Sequence, residues 1–335
     1  MVTINDVATA AGVAPSTVSY VISGKRTISP KTCRLVEDAI RKLGYHPHAG
    51  ARALASSKTN VLALVVPLRT DLNVSVVMEF VASAATAARA NDHDLLLITK
   101  DEGPAALQRV ASSAIADALM VMDVEAADPR VPMLLALDRP VVLIGIPDHP
   151  AGLTCVDLDF TAAGAACVTH LADLGHRSVA LVGPSPEVYK RGTSYATRFL
   201  RGFTNEVRRR QVRAVSQAHT GSYEAAATGL DDLFAREPGV TGLVVHNEAA
   251  LPALLSDLRH RGLRVPEDIS VVAVCPDSMA EQHPVALTTV AIPAEEVGAQ
   301  AVEMIVRQLK GHVTPEIRLL SPRLTPRDST APPRP

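Results

Sequence analysis

Ser16, Thr17, Tyr20 and Ser23 recur at helical spacing within the run Pro15–Gly24 and offer three hydroxyls and a phenol ring on one face. Hydroxyls donate and accept hydrogen bonds, so such a face suits base edges and backbone phosphates. That chemistry is recognition rather than bond-making. The chain has no G-x-G-x-x-G, no Walker loop and no G-x-S-x-G, so neither a nucleotide-dependent enzyme nor an α/β-hydrolase is supported. His46-Pro47-His48 carries two metal-type ligands without a third, Asp92-His93-Asp94 reads as a turn, and Arg208-Arg209-Arg210 reads as a solvated helix end. No enzyme activity, cofactor or metal is expected.

The elements that must hold this face are short and strongly punctuated. Thr3 with Asp6 three residues on is a capping box that starts a helix near Ile4. Gly12 can take the positive φ of a sharp turn, and Pro15 suits the first position of a second helix. Ser29 and Pro30 open a third helix carrying Val36, Ile40 and Leu43, which Gly44 ends. Val7, Val13, Val18, Val21, Val36 and Ile40 are the expected mini-core, and the outline is that of a helix-turn-helix. Residues 1–60 hold 8 Lys/Arg (Lys25, Arg26, Lys31, Arg34, Arg41, Lys42, Arg52, Lys58) against 3 Asp/Glu, a net +5. The whole chain is −2, so residues 61–335 carry −7. A cationic head on an anionic body fits a polyanion gripped at one end.

The remainder is long enough for real cores: 335 residues in all, 47% hydrophobic. The amino terminus, Met-Val-Thr-Ile-Asn-Asp, lacks a basic region followed by an apolar run, and apolar stretches reach only about six residues, so export and a membrane span are not expected. Cys33, Cys155, Cys167 and Cys275 form no C-x-x-C pair and fit reduced thiols of a cytoplasmic protein. Apolar runs at Val61–Pro67, Asp94–Thr99, Asp117–Met122 and Pro140–Ile144, then Ser178–Gly183, Arg213–His219, Thr241–His246 and Ile269–Val274, predict strands. Between them Val74–Asn91, Thr161–Leu174, Tyr195–Arg210, Tyr223–Arg236, Glu248–Arg261 and Ala294–Lys310 predict helices. Two such series predict two doubly wound parallel sheets.

The gapless run Thr3–Gly24, with Ile28-Ser29-Pro30-Lys31-Thr32, Gly44-Tyr45-His46-Pro47 and Ala51-Arg52-Ala53-Leu54, closely resembles the lactose/galactose repressor (LacI/GalR) family of bacterial transcription regulators. Further likeness lies in Val156-Asp157-Leu158-Asp159, His170–Arg177, Arg264–Ser270, Ala286–Val290 and Pro322–Arg327, so it spans nearly the whole chain. The resemblance implies an all-α helix-turn-helix headpiece and an α/β two-lobed core like that of periplasmic binding proteins. It divides the chain into a headpiece over 1–46, a hinge helix and linker over 47–60, an effector-binding and dimerisation core over 61–329, and a disordered tail over 330–335. Lobe one would take about 61–158 and 293–316, and lobe two about 160–290 and 320–329, with crossings near Asp159, Ile292 and Leu320.

The function implied is a sequence-specific regulator, a repressor, bound as a homodimer to a palindromic operator in double-stranded DNA and modulated by a small ligand, sugar-like, between the lobes. The alternatives are a solute-binding protein, or a regulator whose crevice no longer senses a ligand. Thr3, Ser16, Thr17, Tyr20, Arg26, Arg52 and Leu54 are the implied DNA contacts, with Leu54 a wedge into the minor groove. His48–Ser56 is too short to be a stable helix alone, so its folding should be coupled to DNA and to the mate subunit. Ala14, Pro15 and Tyr20 depart from the family's usual residues, so the operator sequence does not transfer. Tyr223 and Asn247 fall at effector-binding positions, and Asn73 lies in the first loop facing the crevice. Phe199 stands in the family's Arg place with Arg198 adjacent, and Cys275 in its Asp place with Asp277 two residues on. Losing two charged ligands, each worth about 1.5–3 kcal/mol, points away from a simple hexose towards a less polar or modified ligand.

Overall fold

A computed structural model describes residues 2–23, 26–45, 58–100, 103–113, 115–312 and 314–334. The head consists of α1 (Ile4–Ala11), α2 (Pro15–Ser23) and α3 (Pro30–Leu43). Its boundaries follow local chemistry. The Thr3 hydroxyl accepts from Asp6 N, and the Asp6 carboxylate accepts from Thr3 N at 2.7 Å, closing the capping box. Gly12 ends α1 at φ 66, a left-handed conformation that glycine adopts without a side-chain penalty. Ser29 caps α3, and Gly44 ends it in the same left-handed way. Val7, Val18 and Val36 are wholly buried, each contributing about 1.5–3 kcal/mol by leaving water. Val13, Val21 and Ile40 are only partly covered, while Ala8, Ala11, Ala39 and Tyr45 complete the core.

Two six-stranded sheets form the body. The first contains β1 (Val61–Val65), β2 (Asp94–Ile98), β3 (Ala118–Val121), β4 (Val141–Ile144), β5 (Thr154–Leu158) and, much later, β11 (Ile317–Leu320). The second contains β6 (Ser178–Gly183), β7 (Arg213–Ala218), β8 (Gly242–Val245), β9 (Ser270–Cys275), β10 (Thr288–Ala291) and β12 (Leu324–Thr325). Their orders, β2-β1-β3-β4-β5-β11 and β7-β6-β8-β9-β10-β12, are the same pattern repeated. Every pairing is parallel except β10 with β12. Helices cover both faces, so β3, β4, β6, β8 and β9 are buried along their length and read as unbroken apolar runs.

The chain passes between the sheets three times: after β5 into the helix Phe160–Asp173, after β10 into Ala294–Leu309, and after β11 into β12. Pairing of Leu320 with Leu158 puts residues 317–320 in the first lobe, four residues beyond the limit expected at 316. The end of the chain departs from the disordered tail expected over 330–335. Ser329 is fully buried, the Ala331 carbonyl accepts from buried His176, Ala331 N donates to Ser270 Oγ, and Arg334 pairs with Asp268 at 2.6 Å. These bonds satisfy buried polar groups of lobe two, which is why a Pro-rich segment stays fixed.

In lobe two, Phe160–Asp173 and Ser194–Arg210 cross closely because each offers a glycine at the contact. A Cβ on Gly202 would lie 1.9 Å from the Thr161 carbonyl oxygen, and one on Gly164 2.4 Å from that of Phe199. Small residues here let backbone meet backbone.

Candidate functional site

On the head, Ser16 is exposed and Thr17 and Tyr20 are half-buried, while Val18 turns into the core between them. Arg26, exposed, stands 5.1 Å over the Tyr20 ring, a cation–π contact that holds a guanidinium beside the polar face of α2. Thr3 is exposed too, but its hydroxyl is engaged with Asp6 as the helix cap. The side chain of Ser23, and Arg52, Leu54 and the hinge segment from 47 to 57, lie outside the described residues.

A second site lies between the lobes, where the carboxyl ends of both sheets face each other. It is a cavity of about 150 Å³. Val66 follows β1, Met122 to Val124 follow β3, Ile144 and Gly145 end β4, and Asp157 stands near the end of β5. Across from them, Pro184 and Ser185 follow β6, and His246 to Ala249 follow β8. Strand ends beside a switch in strand order are where open α/β sheets leave a crevice. Gly145 belongs there for a steric reason: at φ +126, a Cβ would lie 2.8 Å from Val124 Cβ.

Bonds between the lobes border the cavity. Arg191 Nη1 pairs with Asp71 at 2.7 Å, and Ser185 Oγ donates to the same carboxylate at 3.4 Å. Ser194 N donates to the Val124 carbonyl and Ala126 N to the Gly192 carbonyl, both at 2.8 Å, with Glu125 and Thr193 forming an antiparallel bridge between them. The inner wall of lobe two is aromatic. The His246 ring lies 3.9 Å from that of Phe199, 5.6 Å from Tyr195 and 5.7 Å from Phe160. Burial drives His246 down to about 3, so its imidazole is neutral. Its Nδ1 has no hydrogen-bond partner among the described residues.

Of the five expected effector residues, Asn73 and Asn247 line the cavity. Asn73 also caps the helix Val74–Ala90, accepting from Ser75 N, and Asn247 Nδ2 donates to the His219 carbonyl at 2.5 Å. Arg198, Tyr223 and Asp277 stand outside the lining. Arg198 is turned inward, pairing with Asp157 at 2.7 Å and donating to the Leu158 carbonyl, so it acts on the cavity through Asp157. Burial pushes the Asp157 carboxyl up to about 6, with Arg198 opposing the rise. Asp277 is engaged by Arg327 at 2.7 Å and Arg323 at 2.9 Å; despite desolvation these cations and Thr289 hold its carboxyl low. Tyr223, 68% exposed, begins the helix Tyr223–Arg236 and projects to solvent. Asp71, Asp157, Tyr195, His246 and Glu248 are lining residues the sequence reading missed. For Asp71, His246 and Glu248 the signal was positional, since each stands at or shortly after the end of a predicted strand; Asp157, within β5, and Tyr195, at a helix start, carried no such signal.

The family models agree with this layout. Residues 3–48 match the model described as bacterial regulatory proteins, lacI family, and residues 168–330 match the periplasmic binding protein-like domain. The head is that of the LacI family. The chain is a transcriptional regulator, not an enzyme, with a DNA-binding head and a ligand-binding core. Among its relatives, the regulator CelR of Thermobifida fusca is 27% identical over 329 residues, covering 95% of each chain. Catabolite control protein A of Priestia megaterium is 25% identical over 334 residues, covering 98% of this chain and 99% of its own. The CelR–cellobiose complex superposes with a TM-score of 0.71 at 25% identity, over 98% of this chain and all of that one. The Lac repressor dimer bound to operator and the anti-inducer ONPF shares the fold, with a TM-score of 0.84 at 22% identity over 98% and 99% of the two chains. Among the described residues no helix is long and apolar enough to cross a membrane.

Proposed function

We propose that this regulator is a cytoplasmic repressor which binds a palindromic operator as a homodimer and is modulated by a small ligand in the interlobe crevice. The observation that carries the reading is the polar α2 face, where Ser16, Thr17 and Tyr20 stand beside exposed Arg26 on a head of net charge +5. Each protomer presents that face to one half-site, and two-fold symmetry of the protein is mirrored in the site. We assign DNA contact to Thr3, Ser16, Thr17, Tyr20, Arg26, Arg52 and Leu54, and ligand contact to Asn73 and Asn247, with Arg198 positioning Asp157. The segment from 47 to 60 is the connector between head and core. Ligand binding changes how the lobes sit, and this is coupled to pairing of the two connectors by a free energy of about 1–3 kcal/mol.

A gel-shift selection from a randomised palindromic duplex pool, run over a salt series, tests this. A two-fold site is enriched, and its affinity falls steeply with salt as counterions are released. Absence of enrichment at low salt, or binding by a monomer with full affinity, would overturn the operator-binding reading.

A further inference from the structure

The cavity lining has an unusual charge balance. Asp71, Asp123, Asp157 and Glu248 face it, and among the described residues the lining includes no Lys or Arg. Three of these carboxylates have partners set behind the wall: Arg191 for Asp71, Arg69 for Asp123 and Arg198 for Asp157. Glu248 has no cationic partner among the described residues, although it sits where burial raises its carboxyl above the usual range. A half-buried carboxylate without a counter-charge is costly, and a cation brought to it offsets that cost. An anion entering the same space meets four carboxylates.

The rest of the lining fixes the body of the guest. Val66, Val76, Val77, Phe80, Met122 and Ile144 make an apolar wall on lobe one. Phe160 and Tyr195 present rings from lobe two, suited to an ammonium or to a flat hydrocarbon. His246, only 2% exposed, adds a buried Nδ1 that has no hydrogen-bond partner among the described residues. A volume of about 150 Å³ holds a guest about the size of a benzene ring.

We propose that the crevice takes a small organic cation: a protonated amine carried on an apolar body no larger than a single six-membered ring. Glu248 receives the ammonium, and the wall of lobe one receives the ring. The inference rests on the crevice being the effector site and adds the chemical class of the effector.

Full-length protein titrated calorimetrically with cyclohexylamine, cyclohexanol, glucose and glucose 6-phosphate decides it. Cyclohexylamine binds at least about tenfold more tightly than cyclohexanol, which shares its ring without the charge. Glu248→Gln erases that preference, and glucose 6-phosphate does not bind. Equal affinity for amine and alcohol, a preference that survives E248Q, or no binding of cyclohexylamine each overturns the proposal, the first without any variant. Val77→Trp, which fills the cavity, separates the two levels of the argument. Glucose binding abolished by V77W keeps the crevice as effector site and rejects the amine. Binding of any ligand that V77W leaves intact rejects the crevice itself.

Discussion

At the scale of single residues, the DNA contacts proposed for Tyr20 and Arg26 are of two kinds. Arg26 is exposed and cationic, and on the proposed reading it would grip phosphate, a contribution independent of sequence. Arg26→Ala is expected to weaken all duplexes alike and to reduce the salt slope by about 1, whereas Tyr20→Ala should lose about 1–3 kcal/mol of discrimination at one base position. Filter binding on cognate and scrambled duplexes over a salt series separates the two. In the core, His246 makes folding pH-dependent. Its folded pKa of about 3 lies below the unfolded value of 6.5, so from pH 6.5 downward the unfolded chain binds a proton that the folded one refuses. That contribution is complete above 6.5 and is lost as pH falls. Asp157, raised by burial, acts in the opposite sense, so the comparison is made against a variant. Between pH 7.5 and 5.5 the wild type should lose about 1 kcal/mol more stability than His246→Phe, measured by urea unfolding.

Elements were legible where local signals were strong. Gly12, Pro15, Ser29 and Pro30 mark the head helices by backbone and capping chemistry alone, and Ser178–Gly183 and Tyr223–Arg236 run between the bounds their periodicity predicts. Other elements were hidden. Thr154 and Asp157 interrupt the apolar run of β5, and their burial is a tertiary matter that no local pattern announces. β12 is two residues long and exists only because β10 is beside it. The site was harder still. Arg198 looks like a ligand in sequence, and only the fold shows it facing Asp157. The close crossing of Phe160–Asp173 and Ser194–Arg210 gives a test at this scale. Gly202→Ala places a methyl against backbone at Thr161, which cannot give way as a side-chain tip would. A loss of about 1–3 kcal/mol or more is expected in thermal unfolding. An exposed alanine such as Ala249, changed to Ser as a control, should leave the midpoint near wild type.

Over the whole molecule, two lobes of the same strand order share one cavity and a set of bonds around it. Asp71 and Arg191 belong to different lobes, both partly buried, so their coupling reports on lobe closure. A double-mutant cycle with Asp71→Ala and Arg191→Ala should give a coupling of about 0.5–3 kcal/mol. The cycle should shrink if crevice opening dominates in solution, which equilibrium unfolding of the four proteins would reveal. Fluorophores placed on the two sides of this pair would report the same opening directly.

The three passages between the sheets leave from β5, β10 and β11, strands that lie at or beside one margin of each sheet. Strands joined along a shared margin make a door frame: a swing of the lobes would pivot about it, and displacement would grow with distance from it. Asp157 and Ile292 stand at this jamb, while Asp71 and Ser185 are set at the free side. A guest touching the jamb alone therefore has little leverage, and one that also reaches Asn73 and Asn247 pulls on the latch. Ligand length, not affinity alone, then decides how far the door moves.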